Sequence, residues 1–303
     1  MMGRHIGKVM KKRGHIYPFM NLVSPFKGAH IVFANLESIP GDSKDKIYFK
    51  EKLYNFIAPL SLTTTLKKVG FTVFNLSNNH AMDYGVNPIS KTRRALAKDG
   101  IASFGAGKDL KEARAPSLIN IKGVTFGFLG YSNGHSRRIY ATEKRGGVVP
   151  YEMKLMKEDI KSLKEKAQVV VISLHWGIEY EHYPSEEQVE MARELIDAGA
   201  DLILGHHPHV MQGIEIYKGK LIAYSMGNFL FDQKHGDTGN SFMLSLKFSG
   251  RHLKKVRVEP LDRFKSYFPR RASGARRGEI LASLRKMSLP LNANPSVLPS
   301  MGL

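Results

Sequence analysis

The sequence predicts a layered α/β fold, and two observations lead to this prediction. Four apolar runs rich in β-branched and aromatic residues alternate with segments of helical periodicity. Two further pairs of apolar runs are joined by Lys-Gly turns, a pattern typical of β-hairpins. Strand–helix units mixed with hairpins favour packed layers over a purely parallel sheet. A chain of 303 residues, 42% of them hydrophobic, is long enough to build one large domain of this kind.

The apolar runs and their spacing assign the individual elements. We expect buried strands at residues 29–37, 71–80, 168–177 and 201–207. The intervening helices are expected at residues 61–69, 88–98, 153–167 and 185–198. Hairpins are expected at residues 116–132 and 214–231, followed by strands at 241–250 and 253–261. The fourth helix has Ser185 and two glutamates at its start and Gly199 at its end, which are favoured at those positions.

The charge of the chain is strongly positive and unevenly distributed. The net charge is +19, with six Lys or Arg and no acid before Glu37. Residues 264–303 hold seven Lys or Arg against Glu279 alone, and we predict a basic, loosely ordered tail there after a domain at residues 1–263. Such ends form solvated surface or attract a polyanion. No nucleic-acid-binding motif accompanies them, so nucleic acid is the least favoured polyanion.

The composition also limits the chemistry. The chain has no cysteine, so a metal ion must be held by His, Asp, Glu or Asn. No run of eighteen apolar residues marks a membrane span, and no apolar segment follows the basic N-terminal residues as in a signal peptide. The cellular location is therefore left unknown.

Polar donors collect where the four buried strands end. They are Asn35 and Glu37, then Asn78, Asn79 and His80, then His175, and finally His206, His207 and His209. The carboxyl ends of parallel strands share one edge of a sheet, so these side chains are expected to converge. His207 and His209 lie two apart in a segment expected to be extended, where they would point the same way, with Pro208 restricting the backbone between them. Each fragment alone is also typical of a turn, a helix cap or a core histidine, and only the ordered combination favours a site.

Five segments resemble the CapA-type capsule synthesis proteins, which are associated with poly-γ-glutamate and have a metallophosphatase-like, calcineurin-type domain. They are "NLES", "LSNNHAMDYG", "LHWGIEY", "GHHPHVMQG" and "YSMGNFLFD", in this order between Met1 and Asp232. The resemblance implies a layered α-β-β-α sandwich of the metallophosphoesterase type.

The resemblance also implies roles for individual residues. It makes Glu37 a carboxylate that bridges two metals and His80 the catalytic acid. The remaining implied metal ligands are Asn79, His175, His207 and His209. Outside the ligand set, as residues around the site, we place Asn35, Asp83, His206 and Asn228. Imidazole and carboxylate donors without thiolate suit two divalent ions such as Mn, Fe or Zn.

One departure from the family pattern concerns the start of the fold. Family members open with an apolar strand that ends in a Gly-Asp pair, whose Asp is a metal ligand. This chain begins inside the corresponding segment, so the first strand is expected to be missing. Either residues before Met1 supply it, or the protein binds metal with one ligand fewer.

The resemblance implies a protein of poly-γ-glutamate capsule biosynthesis or export with a divalent-metal site of hydrolase type. Its partners would be the anionic polymer or a phosphoester substrate, together with the capsule synthesis machinery. Two alternatives stay open: a metal-dependent phosphoesterase unrelated to capsule, and a non-catalytic binder of an anionic polymer. Whether the protein is an enzyme depends on whether the metal site is complete.

Overall fold

A computed structural model of the protein describes residues 1–21, 26–42, 45–134, 136–233, 236–263 and 267–303. The α-helices are α1 (Arg4–Arg13), α2 (Leu62–Val69), α3 (Val86–Lys98), α4 (Leu110–Arg114), α5 (Met153–Lys164), α6 (Glu186–Asp197) and α7 (Gly274–Ser288). Short 3-10 turns lie at Tyr17–Phe19, Arg137–Ile139, Gly236–Gly239, Leu289–Leu291, Pro295–Val297 and Pro299–Met301. None of these helices combines the length and apolarity needed to span a bilayer.

The strands of the described residues form two main sheets and three further sheets. The strands are β1 (Phe33–Asn35), β2 (Ile39–Gly41), β3 (Ile57–Pro59), β4 (Val73–Asn75), β5 (Ala102–Phe104), β6 (Ala106–Gly107), β7 (Ser117–Ile121), β8 (Val124–Ser132), β9 (Gly147–Val148), β10 (Val169–His175), β11 (Leu202–His206), β12 (Ile214–Tyr217), β13 (Lys220–Ala223), β14 (Asn240–Ser249), β15 (His252–Asp262) and β16 (Arg270–Arg271). The three further sheets are a three-stranded sheet of β14, β15 and β16 and two two-stranded sheets, β2-β3 and β6-β9. The four buried strands, four helices, two hairpins and two further strands predicted from the sequence are all present, with shorter bounds for most strands. The two further strands, β14 and β15, pair with each other as a third hairpin.

The two main sheets differ in size and in pairing. The small sheet is parallel throughout, in the order β1-β4-β5. The large sheet has the order β12-β13-β11-β10-β8-β7, with four parallel inner strands and an antiparallel strand at each edge. The edge strands are the outer halves of the two Lys-Gly hairpins, which explains why hairpins accompany a parallel sheet.

Three buried clusters place the sheets between two helical layers. On the outer face of the small sheet, Phe74 shares a cluster with residues of α1, α2 and α3. On the outer face of the large sheet, Ile172 shares a cluster with residues of α5 and α6. Between the sheets, Val73 and Phe104 join Phe128 and Val171 in a third cluster. The result is the α-β-β-α sandwich that the family resemblance implies.

A cavity of about 950 Å³ lies between the small sheet and the hairpin of β14 and β15. Residues 31–35 line one side and residues 242–248 the other, and apolar residues of the large sheet also line it. Within the described residues, β1 pairs with β4 alone, so its other edge faces this cavity. The expectation that a first strand is missing stays a prediction, and the cavity adjoins the edge where such a strand would pair.

The C-terminal residues differ from the sequence prediction of a loosely ordered tail. Residues 267–303 contain α7, whose Ile280, Leu284 and Met287 are buried in the cluster between the sheets. Their spacing of four and three residues puts them on one face of the helix. Because arginines surround these three residues in the sequence, the composition of the segment gave no sign of the apolar face. The domain boundary after residue 263 stays a prediction.

Gly205 provides a test of the packing that places His206. It lies in β11, and a Cβ at this position would stand 1.8 Å from the backbone oxygen of Tyr224. Because a backbone atom cannot rotate away, we expect Gly205→Ala to lower the free energy of unfolding by roughly 1–3 kcal/mol, measured by urea denaturation. Gly278→Ala in α7 is the matched control, since no atom lies within 4 Å of its Cβ position. It should be neutral or stabilising by up to about 1 kcal/mol, and equal stability of both variants would contradict this account.

Candidate functional site

The carboxyl ends of the two sheets meet at one polar cluster. The small sheet contributes Asn35 at the end of β1 and Asn75 at the end of β4, and the large sheet contributes His175 at the end of β10. Asn75 Nδ2 donates to Asn35 Oδ1 at 3.2 Å, and Asn35 Nδ2 donates to His175 Nδ1 at 3.4 Å. Two separate sheets are thereby joined through side chains at the edge where their strands end.

These hydrogen bonds also fix the tautomer of His175. The backbone N–H of Ser77 donates to Asn75 Oδ1 at 2.9 Å, which orients that amide. Asn75 therefore directs its NH2 group at Asn35 Oδ1, which leaves the NH2 group of Asn35 facing His175. The imidazole accepts this hydrogen bond at Nδ1 and donates from Nε2 to Asn79 Oδ1 at 3.0 Å. Burial, reinforced by neighbouring imidazoles, lowers the pKa of His175 well below its ordinary value. His175 is therefore an uncharged imidazole at neutral pH.

His207 and His209 lie close to His175, but not for the reason that the sequence suggested. Their backbone is not extended, since φ is 104° at His207 and 62° at His209. Positive φ is costly for residues other than glycine and is concentrated at functional sites. The ring centroids of His175 and His207 lie 4.8 Å apart, and those of His207 and His209 lie 6.1 Å apart. The three imidazoles are thus buried together by a strained turn.

His206 occupies a different environment from the other two histidines of this segment. It is in register with His175 on the neighbouring strand, and its ring lies 5.8 Å from that of Phe33. Its Nε2 has no hydrogen-bond partner in the described part of the chain. Burial lowers the pKa of His206 to about 3. It lines the cavity beside the cluster, in line with its predicted place outside the ligand set.

Glu37 brings a carboxylate to the cluster. The side chain is buried, and its Oε1 lies 3.8 Å from His209 Nε2. Within the described residues, Oε1 accepts no hydrogen bond. A buried charged oxygen without a hydrogen bond is costly, and a cation is the partner that offsets such a cost. His209 is oriented from its other side, where Nδ1 lies 2.9 Å from Asn228 Oδ1.

His80 is held by a network that the sequence revealed only in part. Asp83 Oδ2 lies 2.7 Å from His80 Nδ1 and accepts from the backbone N–H of Phe56 at 2.8 Å. Lys52 Nζ donates to Asp83 Oδ1 at 2.5 Å and to the carbonyl of Asn79 at 2.9 Å. The Phe56 ring lies over His80 at a centroid distance of 4.0 Å. Asp83 was expected near the site, whereas Lys52 and Phe56 had no signal in the sequence.

Arg263 supports the loop that carries Asn228. Its buried guanidinium donates to the carbonyls of Asn228, at 3.1 Å, Phe231 and Thr238. Burial lowers the pKa of Arg263 to about 10, so it stays charged at neutral pH. One side chain, directly after the end of β15, thereby provides the hydrogen-bond donors for all three carbonyls. Sequence analysis did not identify this residue, because it belongs to no motif.

The cluster as it stands is not a closed metal cage. No three His, Asp or Glu side chains in the described ranges are arranged so that they could hold a metal ion by themselves. Two of the imidazoles instead contact amides, His175 with Asn79 and His209 with Asn228. The predicted ligands are therefore brought together, while their role as ligands stays a prediction.

Comparisons with known proteins give a consistent assignment. The family described as "Bacterial capsule synthesis protein PGA_cap" matches residues 1–233. The chain is 35% identical over 263 residues to the "PGA biosynthesis protein CapA" of Bacillus subtilis (strain 168), covering 86% of this chain and 69% of the relative. It is 33% identical over 267 residues to the "Capsule biosynthesis protein CapA" of Bacillus anthracis, covering 86% and 65%. The chain thus spans about two thirds of the length of these relatives.

A solved structure confirms the fold independently of these sequences. A hypothetical protein from Thermus thermophilus superimposes with a TM-score of 0.53 at 14% identity. The match covers 82% of this chain and 94% of that protein. At this identity the likeness extends to the fold alone.

The network around His80 gives a prediction that needs no substrate. Lys52→Met removes the cation that faces the buried Asp83 carboxylate, so we expect it to lower the free energy of unfolding by roughly 1–3 kcal/mol in urea denaturation. Lys50→Met is the control, because Lys50 is exposed. If both variants are as stable as the wild type, Lys52 does not support this network.

Proposed function

We propose that this chain, which belongs to the PGA_cap family of bacterial capsule synthesis proteins, acts in poly-γ-glutamate capsule biosynthesis through a divalent-metal site of hydrolase type. Glu37 Oε1 carries the proposal, since it is a buried carboxylate oxygen without a hydrogen bond among the described residues. It faces His209 at the edge where the strands of both sheets end.

The donor set fits a divalent cation. The residues that would hold it are Glu37, Asn79, His175, His207 and His209. Imidazole nitrogens and carboxylate or amide oxygens suit Mn, Fe or Zn, and a site for two such ions is part of the proposal. Divalent ions bound there would supply Lewis-acid activation of water against an ester or amide bond. An uncharged imidazole is the form that binds metals, and the pKa of His175 is lowered by burial. Metal binding by His175 would require Nε2 to give up its hydrogen bond to Asn79.

The other residues of the cluster would orient these donors and move protons. Asn228 sets the direction of the His209 ring through its contact at Nδ1. His80, fixed at Nδ1 by Asp83, would give a proton from its ring to the leaving group as the catalytic acid. Phe56 shields one face of the His80 ring from water.

A phosphoesterase unrelated to capsule remains the second candidate. Metal ions held by the same donors would also act on a phosphoester, because a bound divalent ion polarises a phosphoryl oxygen as well as a carbonyl oxygen. The substrate decides between the two functions, and both depend on the same metal ligands.

Metal binding is the property that tests the proposal. We expect the purified protein to bind Mn²⁺ by isothermal titration, and the double variant His207→Ala, His209→Ala to bind it at least about tenfold more weakly, because two of five proposed donors are lost. His252→Ala is the matched control, since His252 is an exposed residue of β15. Equal Mn²⁺ affinity of the double variant and the control would rule out the site.

Activity separates the two candidate functions. With Mn²⁺ present, cleavage of poly-γ-glutamate that His80→Ala lowers at least about a hundredfold supports the capsule function. Cleavage of bis-p-nitrophenyl phosphate without cleavage of the polymer supports the phosphoesterase. Unchanged rates in the His80→Ala variant would contradict the acid role in either case.

A further inference from the structure

The hairpin of β14 and β15 carries a concentration of positive charge that its own structure does not balance. Residues 247–257 contain five Lys or Arg and no acid. Lys247 of β14 lies directly opposite Lys255 of β15, and both side chains are exposed. Like charges at directly paired positions destabilise a sheet. The Lys247–Lys255 pair therefore destabilises the hairpin.

No carboxylate of the described residues offsets the two lysines. Neither Lys247 nor Lys255 forms an ion pair there, and the same holds for Lys254. The nearby acid, Glu259, is shared at 3.9 Å by Arg257 and Arg271. Lys247, Lys255 and Arg257 thus present a cationic face to solvent.

The two faces of the hairpin have separate roles. Leu244, Leu246 and Val256 pack against the buried cluster between the sheets. The alternate positions Ser245, Lys247, Lys255 and Arg257 are exposed. The inner face supplies the apolar contacts of the hairpin, and the two lysines of the outer face take no part in them.

We propose that this outer face, centred on Lys247, Lys255 and Arg257, binds an acidic polypeptide of the poly-glutamate type. Lysine is a flexible point charge that suits a mobile chain of carboxylates. None of the four outward positions carries an aromatic side chain, which a single-stranded nucleic acid would need for base stacking. The choice of a glutamate polymer rests on the proposed function, whereas the cationic face itself does not.

The hairpin is placed to act together with the candidate metal site. Ser241, near the start of β14, forms a bridge to Gly227, the neighbour of Asn228. Lys247 lies six residues further along the strand, which is about 20 Å from this bridge. Both ends of this path line the same cavity. One polymer chain is long enough to contact the cationic face and the metal site together.

Binding of labelled poly-γ-glutamate, followed by fluorescence anisotropy, tests the proposal. We expect the triple variant Lys247→Gln, Lys255→Gln, Arg257→Gln to raise the Kd at least about tenfold. The matched control is Lys154→Gln, Lys161→Gln, Lys166→Gln, which removes the same charge from exposed positions around α5 and should change the Kd by less than about twofold. Glu259→Gln should tighten binding, and raised salt should weaken it.

Specific outcomes overturn the proposal. They are no binding by the wild type, equal effects of the two triple variants, or tighter binding of an oligonucleotide or of anionic lipid vesicles through the same three residues. Polymer binding measured in EDTA without Mn²⁺ tests the cationic face alone, because no metal ion then contributes to binding. If the wild type binds the polymer in this way but does not bind Mn²⁺, the proposed function is rejected alone. If it binds Mn²⁺ but not the polymer, the cationic face is rejected alone.

Discussion

The hydrogen bonds on either side of His175 are the interaction on which the site depends. Asn35 contacts the ring from the small sheet and Asn79 contacts it from the loop after β4, while His175 itself ends a strand of the large sheet. One neutral imidazole thus joins both halves of the sandwich at the edge where their strands end. A change in either sheet would alter the position of this ring, and with it the donors that surround it.

The surrounding cluster combines two energetically costly features at residues that lie close together. Glu37 leaves a buried oxygen without a hydrogen bond among the described residues, and His207 and His209 adopt positive φ. Each feature costs free energy, which the packed core on both sides of the large sheet must offset. A fold retains such costs where a ligand or a reaction uses them. The hairpin of β14 and β15 repeats this pattern on the surface, where Lys247 and Lys255 oppose each other.

Sequence reasoning was most successful where the signal was local. The apolar runs and the polar residues that end them predicted four strands and the convergence of Glu37, His80 and His175. Arg263 and Lys52 were missed because each acts on residues distant in the sequence and neither lies in a motif. Asn75 was missed because it falls inside an apolar run, where an amide gives no periodic signal. The left-handed backbone at His207 could not be predicted, since nothing in the local sequence marks a residue other than glycine for positive φ.

Diffraction from crystals grown with Mn²⁺ tests the central claim most directly. An anomalous difference map locates the ion without reference to any substrate or polymer. The account predicts a peak within bonding distance of Glu37 and His209. A fully occupied peak elsewhere, or an ordered cluster with no peak at saturating Mn²⁺, would contradict the claim that this edge of the sandwich is a metal centre.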